Sequence, residues 1–325
     1  MTHKQHPIGS GFTAAATADD VLAGIDLTGK NVIVTGGHAG IGLEVTRALH
    51  KAGAAITATS RNPKNADASL AGNKRIEVER LDLVDPASVD DFVGRWLAKK
   101  RPLHILVNGA GASGGPERDA RGYETQFATN HLGHFQLTLG LLPALRAARG
   151  ARVVNVSSGA QRFADIRWDD PNFHTGYNSR VAYAQSKTAN VLFAVELDRR
   201  FTGDGIRGYA VHPGVVVGTN LNSSAGADAL RAMGLIDGYG NAIIDPDVGK
   251  KTPQQGASTI VFAATSPLLA DIGGVYLKDN DISRLDDEPR QLTADRIPSE
   301  VASHSVDPAS ARRLWDLERF QPDWP

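Results

Sequence analysis

Cysteine is missing from all 325 residues of the chain. Its absence excludes a disulfide framework, a thiol nucleophile and thiolate metal sites. An excess of charge of one sign is missing too: 35 lysines and arginines meet 36 aspartates and glutamates, for a formal net charge of −1. No global basic field is therefore available to recruit nucleic acid or an anionic membrane. No stretch reaches the roughly eighteen consecutive apolar residues that a membrane-spanning helix needs. Residues 1–24 lack a cationic start followed by a long apolar core, so no signal peptide is expected, and the cytoplasm is the expected compartment. Neither a repeat of fixed period nor a Ser/Gly/Pro linker divides the chain.

What remains is an ordinary globular composition, 41% hydrophobic and 22% charged. The first dozen residues are polar and punctuated by Gly and Pro, and they read as a flexible arm. Thr17 is placed to cap a short helix running to Gly24. Beyond the turn Leu27-Thr28-Gly29-Lys30, apolar runs alternate with longer amphipathic stretches. Strands are expected at 31–35, 54–59, 75–80, 103–108, 151–156, 206–212 and 274–277. Helices are expected at about 40–52, 86–99, 122–147, 179–201, 253–266 and 308–319. Strands this apolar are covered on both faces, which favours a parallel sheet flanked by helices. Right-handed crossovers then give an α/β fold: a Rossmann-type, doubly wound, parallel seven-stranded sheet in a single domain.

That domain spans residues 28–280, behind an arm and short helix at 1–27. Residues 281–325 form a C-terminal extension, whose helix carries Leu314, Trp315, Leu317 and Phe320 on one face and is expected to dock on its own domain. Residues 159–178 and 214–250 are long, irregular stretches that follow strands. At the C-terminal edge of such a sheet they are natural walls for a substrate, here a fairly apolar pocket. Trp168, Phe173 and Tyr177 either line that cleft or pack the lid over it.

Asn31-Val32-Ile33-Val34-Thr35 has a buried-strand pattern, and a helix starts at Gly40-Ile41-Gly42. Between them, Thr35-Gly36-Gly37-His38-Ala39-Gly40-Ile41-Gly42 has the glycines a tight turn needs for backbone to approach a pyrophosphate. The anion would sit on the positive helix N-terminus. A cofactor with a free ribose 2′-hydroxyl usually meets an acidic residue at the end of the second strand. Here that strand ends in Ser60, followed by Arg61, whose guanidinium can pair with a 2′-phosphate. NADP(H) is therefore expected in preference to NAD(H). Asp82, ahead of Leu83 after the third strand, either accepts from the adenine amino group or caps the following helix.

Ala182-Tyr183-Ala184-Gln185-Ser186-Lys187 sets a phenol and an ammonium group four positions apart, on one face if the segment is helical. A free tyrosine titrates near ~10, too high for good acid–base work at neutral pH. A fixed positive charge nearby is expected to pull that value down. The fifth strand ends in Ser157-Ser158, on the same sheet edge as the glycine turn, and Phe127-Ala128-Thr129-Asn130-His131 puts a lone amide in a long helical segment. His131 and His134 could mimic a metal pair, but no convincing third ligand accompanies them, and no metal site is expected.

Taken together and in this order, TGGHAGIG, NGAG at 108–111, Asn130, VSS and YAQSK resemble the short-chain dehydrogenase/reductase family over about residues 28–280. FATNHLGHF and AYAQSKTANVLFAVEL look most like its retinol-dehydrogenase and protochlorophyllide-reductase-like branch. The resemblance implies that Tyr183 is the general acid in carbonyl reduction and the base in alcohol oxidation. Lys187 would lower its pKa and bond the nicotinamide ribose. Ser158, rather than Ser157, would hold the substrate oxygen, and Asn130 would order a helix distortion and a water relay to Lys187.

It also implies cofactor contacts from Gly36, His38, Gly40, Ile41, Gly42, Ser60, Arg61, Asp82 and Leu83. Asn108, Gly109 and Ala110, with Pro213, Gly214, Val216 and Thr219, would complete them beside Tyr183 and Lys187. Two departures stand out: Gly109 replaces a second amide of the family's NNAG, and Thr219 falls about one residue late. The implied activity is hydride exchange between a ketone or aldehyde and its alcohol. The implied partner is a small carbonyl or alcohol, lipophilic by analogy with the branch. The family's habit implies a homo-oligomer, unless the extra terminal segments block its interfaces. A non-catalytic dinucleotide sensor is the alternative, although it has no need of a Ser/Tyr/Lys set. A nucleotide-sugar epimerase is a second, but its glycine spacing is TGxxGxxG.

Overall fold

The computed structural model describes residues 4–64, 70, 75–219 and 226–319. Its sheet has the strands β1 (Asn31–Thr35), β2 (Ala55–Ser60), β3 (Ile76–Arg80), β4 (Ile105–Asn108), β5 (Ala151–Val156), β6 (Ile206–His212), β7 (Val275–Lys278) and β8 (Asp281–Ile282). They lie in the order β3-β2-β1-β4-β5-β6-β7-β8. β1 to β7 pair in parallel, as a doubly wound sheet requires. The eighth strand, not expected from the sequence, is a two-residue antiparallel return on β7. It is too short to show a period.

β1 pairs with β2 on one side and β4 on the other. The chain leaves in opposite directions from that point, so the crevice above β1 is where this architecture holds ligands. Helices α1 (Ala18–Val21), α2 (Gly40–Lys51) and α9 (Pro253–Thr265) cover one face, over a core that includes Val34, Leu49, Ile260 and Leu277. On the other face lie α3 (Pro86–Ala98), α5 (Gly133–Gly140) and α7 (Ser179–Phe201), packed around Ile33, Phe92, Leu106 and Phe193. Thr17 caps α1 reciprocally with Asp20, but the helix stops at Val21, short of Gly24.

The single helix expected over 122–147 is divided. It runs as α4 (Thr125–Phe127), a π turn (Ala128–Leu132), α5, and α6 (Leu142–Ala147). The break at Leu141 has a local cause: Pro143 lacks an N–H and disfavours helix in the residue before it. Between α7 and α9 lies α8 (Ala227–Ala232).

The first and last described segments are both docked on the domain. The arm is pinned from Gln5 onward rather than free. The Gln5 amide donates to the carbonyls of Tyr276 and Ser283 at 2.7 Å and accepts from the Tyr276 N–H at 2.9 Å, completing backbone bonds at the edge of β7. The Asp281 carboxylate then accepts from the N–H groups of Ile8, Gly9 and Ser10. At the other end, α10 (Pro308–Arg319) lays Leu314 and Trp315 against the domain. The indole lies 5.0 Å from the Phe135 ring and 5.9 Å from that of Phe193. Phe320 lies outside the described residues.

Candidate active site

The N-terminus of α7 is fixed by Asn178, whose side chain accepts from the N–H groups of Arg180 and Val181. One turn in, Tyr183 and Lys187 share a face, with the ammonium 5.5 Å from the centre of the phenol ring. Lys187 Nζ donates to the carbonyl of Val156, the last residue of β5, at 3.1 Å. The Ser157 hydroxyl donates to the Lys187 carbonyl at 2.7 Å. Ser157 is thereby committed to holding helix to sheet, which leaves Ser158 as the serine whose hydroxyl acts on the Tyr183 phenol, lowering its pKa.

The pKa directions correct one expectation. Burial pushes the Tyr183 phenol up to about 12, with the Ser158 hydrogen bond acting against it. Burial brings the Lys187 ammonium down to about 8. The lowering of the phenol by the lysine is therefore not produced by the protein's own groups. Both sit in one crevice where loss of water disfavours either charge, and the ammonium is turned to the Val156 carbonyl.

Asn130 lies on the π turn, fully buried. Its side chain clamps Ala112, accepting from the Ala112 N–H at 2.7 Å and donating to its carbonyl at 3.0 Å, and it also donates to Ser186 Oγ at 3.0 Å. Its backbone carbonyl meets His134 Nδ1 at 3.0 Å. The other ring nitrogen of His134 lies 2.8 Å from Thr35 Oγ1. Thr35 in turn accepts from the N–H groups of Gly109 and Ala110 at 2.8 and 3.0 Å. From sequence, Thr35 is only the first residue of the glycine motif and His134 only half of a metal pair. The available signals were a hydroxyl closing an apolar strand, and a histidine one turn beyond Asn130.

The glycine turn is built as its spacing suggests. Gly36 and Gly40 have φ of +66° and +53°, the left-handed region that favours glycine. A Cβ on Gly42 would come within 2.5 Å of the Gly36 carbonyl oxygen. Ala39, at the N-cap of α2, offers no side-chain hydrogen bond, and the first turn holds no acid. Such a terminus fits a phosphate group. His38 bridges from this turn to the end of β2, with Nδ1 3.1 Å from the Thr59 carbonyl and Nε2 3.5 Å from Ser60 Oγ. Ser60 is buried and Arg61, next along, is exposed. Ile41 lies beside Gly256 and Val216.

Of the two readings of Asp82, the helix cap is excluded. Asp85 caps α3 through the Ala87 N–H, whereas Asp82 accepts from Val84 in a local turn. The carbonyl of Leu83 abuts Gly133, where no Cβ would fit. The Asn108 amide donates to Asn155 and Thr138 at 2.8 and 3.1 Å, tying β4 to β5 and α5. After β6, Pro213 and Gly214 (φ +83°) lead to a buried Val216, and Thr219 comes next to Gly40.

The base of loop 214–250 is closed by backbone bonds between Val215 and residues 249 and 251. The buried Lys251 pairs with Asp279 at 2.7 Å. A cavity of about 480 Å³ beside it is lined by Asp247, Lys278, Arg284, Asp286 and Glu300 among others, and neither Ser158 nor Tyr183 belongs to its wall. Phe173 is buried, with Tyr177 edge-on against it at 6.0 Å, and Arg313 lies over the Trp168 ring. His212 is buried and accepts from the Gly159 N–H at 3.1 Å. Among the described residues, no group of three or more His, Asp or Glu is placed to hold a metal ion.

Residues 30–229 match the family model for short chain dehydrogenases. The chain is a short-chain dehydrogenase/reductase. It is 43% identical over 300 residues to a Streptomyces lividans protein named "Probable oxidoreductase", an alignment covering 90% of this chain and 97% of that one. Human retinol dehydrogenase 11 is 33% identical over 300 residues, 90% of this chain and 86% of its own. Among solved structures, an uncharacterized Mycobacterium paratuberculosis protein superposes with a TM-score of 0.69 at 29% identity, covering 94% and 96% of the two chains. These relatives agree with the retinol-dehydrogenase-like branch. The enzyme is an oxidoreductase acting on CH–OH and carbonyl groups of small molecules, and its family binds NAD(P). No helix among the described residues is long and apolar enough to cross a membrane.

Proposed function

We propose that this reductase uses NADP(H) to interconvert a ketone or aldehyde and its alcohol, with Tyr183 as the acid–base group. The observation that carries the reading is the Tyr183 phenol with the Lys187 ammonium one turn away, 5.5 Å from the ring centre, on the sheet edge that also carries Ser158 and the glycine turn. The preference for NADP(H) is supported by the exposed Arg61 behind Ser60, where no carboxylate opposes a 2′-phosphate. Gly36, Gly40, Ile41 and Gly42 would hold the pyrophosphate, Asp82 the adenine, and Thr219 the carboxamide.

When bound there, a nicotinamide would supply or take up the hydride. In the reductive direction, the hydroxyls of Ser158 and Tyr183 donate to the carbonyl oxygen, where negative charge builds as its carbon is reduced. Donors fixed on that oxygen stabilise the transition state more than the ground state. The Tyr183 proton passes to the oxygen, giving the alcohol and leaving a phenolate near the Lys187 ammonium. Asn130 keeps the path behind Lys187 in place. Pushed up to about 12 by burial, the phenol keeps its proton at neutral pH and enters the reductive step as the donor.

Purified enzyme should consume NADPH, faster than NADH, with members of a panel of lipophilic aldehydes and ketones, and Tyr183→Phe should not. A wild type inert to the whole panel, or a Tyr183→Phe variant as active as wild type, would overturn the reading.

A further inference from the structure

Lys187 is connected to the C-terminal extension by an unbroken chain of buried polar contacts. The Val156 carbonyl that receives the Lys187 ammonium also receives Asn190 Nδ2, at 3.1 Å from each. The Asn190 side-chain oxygen lies 3.1 Å from His131 Nδ1, and His131 Nε2 bonds Glu318 Oε1 on α10. His131 sits on the π turn directly after Asn130. The His131 side chain is 0% exposed and that of Glu318 2%.

The protons on this chain can be assigned. Asn190 spends its amide on Val156, so its oxygen faces His131 and Nδ1 carries the hydrogen. Between Nε2 and the carboxyl there is then one proton, held either as imidazolium with carboxylate or as imidazole with carboxylic acid. Either way the pair has no net charge; burial raises the Glu318 pKa, and its partner opposes that rise without cancelling it. The rings of Phe127, Phe135 and Phe193 surround His131 at 5.3 to 6.3 Å. An apolar pair would fill that space at least as well, so packing alone does not account for two titratable groups there.

We infer that Glu318 is a positioning residue for Lys187, acting through His131, Asn190 and the Val156 carbonyl. The role rests on the reading of Lys187 given above. If the chain is cut, the carbonyl is less firmly held, the ammonium loses a hydrogen bond that favours its charged form, and it gives up its proton at lower pH. The other titratable groups facing Lys187 are Tyr183 on its own helix and His134 on α5, with His131 beyond them.

The test follows the Lys187 titration in the free protein by NMR of ¹³C-lysine-labelled chains, with Lys187→Arg for assignment, alongside kcat and KM. Glu318→Ala should move the Lys187 titration down by about half a unit or more and lower kcat about tenfold, with KM little changed. Glu318→Gln, which can donate to an unprotonated His131 Nε2, should restore most of both. Should Glu318→Ala fold poorly, the double variant H131F/E318L cuts the chain while keeping the space filled, and the same titration shift is expected. A Lys187 titration unchanged in the folded variants overturns the inference. Because that readout needs neither cofactor nor substrate, it decides the matter even if the wild type proves inert and the proposed function fails.

Discussion

His134 Nε2 lies 2.8 Å from Thr35 Oγ1, and this contact joins the end of β1 to the helix that presents Asn130. The histidine is fully buried, with burial holding its pKa down to about 3, so the ring is neutral. One nitrogen donates to the Asn130 carbonyl and the other accepts from Thr35. The glycine turn and the π turn are thus held in one register by a single imidazole. His134→Leu should remove both contacts, Thr35 keeping the Gly109 and Ala110 N–H groups and the Val107 carbonyl, and cost about 1–3 kcal/mol, read as a fall in thermal midpoint.

Tyr183→Phe removes the proton donor and little volume. It should lower kcat by about 10²–10⁴-fold. NADPH affinity, followed by cofactor fluorescence, should stay within a few-fold of wild type.

Ser158→Ala should lower kcat by about 10²–10³-fold, as expected for one donor lost from a developing oxyanion. Because the Ser158 hydrogen bond acts to lower the phenol's pKa, the Tyr183 titration should also move upward, away from neutrality. The pH–rate profile reads both effects.

Arg61→Ala should reduce the preference for NADPH over NADH by about tenfold or more, since an exposed arginine contributes a charge-assisted bond to phosphate. The ratio of kcat/KM for the two cofactors measures this. An unchanged ratio would remove Arg61 from the site.

His134 and His212 are both held from an ordinary 6.5 down to about 3 by burial. Between those values the unfolded chain binds protons on both and the folded chain on neither. Stability therefore rises with pH across this window and is lost as the pH falls. Each group contributes a slope of about 1.4 kcal/mol per pH unit within it. His212→Asn, whose carbonyl oxygen can still accept from Gly159, should flatten that slope by one group. Urea denaturation in buffers stepping down from neutrality provides the measurement.

Much of the fold is legible in the sequence because its signals are local. Asn31–Thr35 reads as a buried strand from five residues, and the glycines at 36, 40 and 42 carry their backbone requirement with them. β8 is hidden because two residues have no pattern, and the π turn because an extra residue in one helical turn leaves the apolar spacing of 122–147 almost intact. Gln5 sits in a segment that composition marks as loose, yet it supplies the bonds that the edge of β7 lacks.

Sequence alone determined the strand order's raw material, the dinucleotide turn, and the spacing that sets Lys187 one helical turn from Tyr183. All three depend on neighbours within a few residues. The tertiary structure decided the rest: that Ser157 is spent on the Lys187 carbonyl, that His134 closes on Thr35, and that Glu318 reaches His131 from far along the chain. It also set the sign of the Tyr183 shift. A pKa is governed by how much water a group loses and which partners surround it, and in a folded chain those partners come from distant segments.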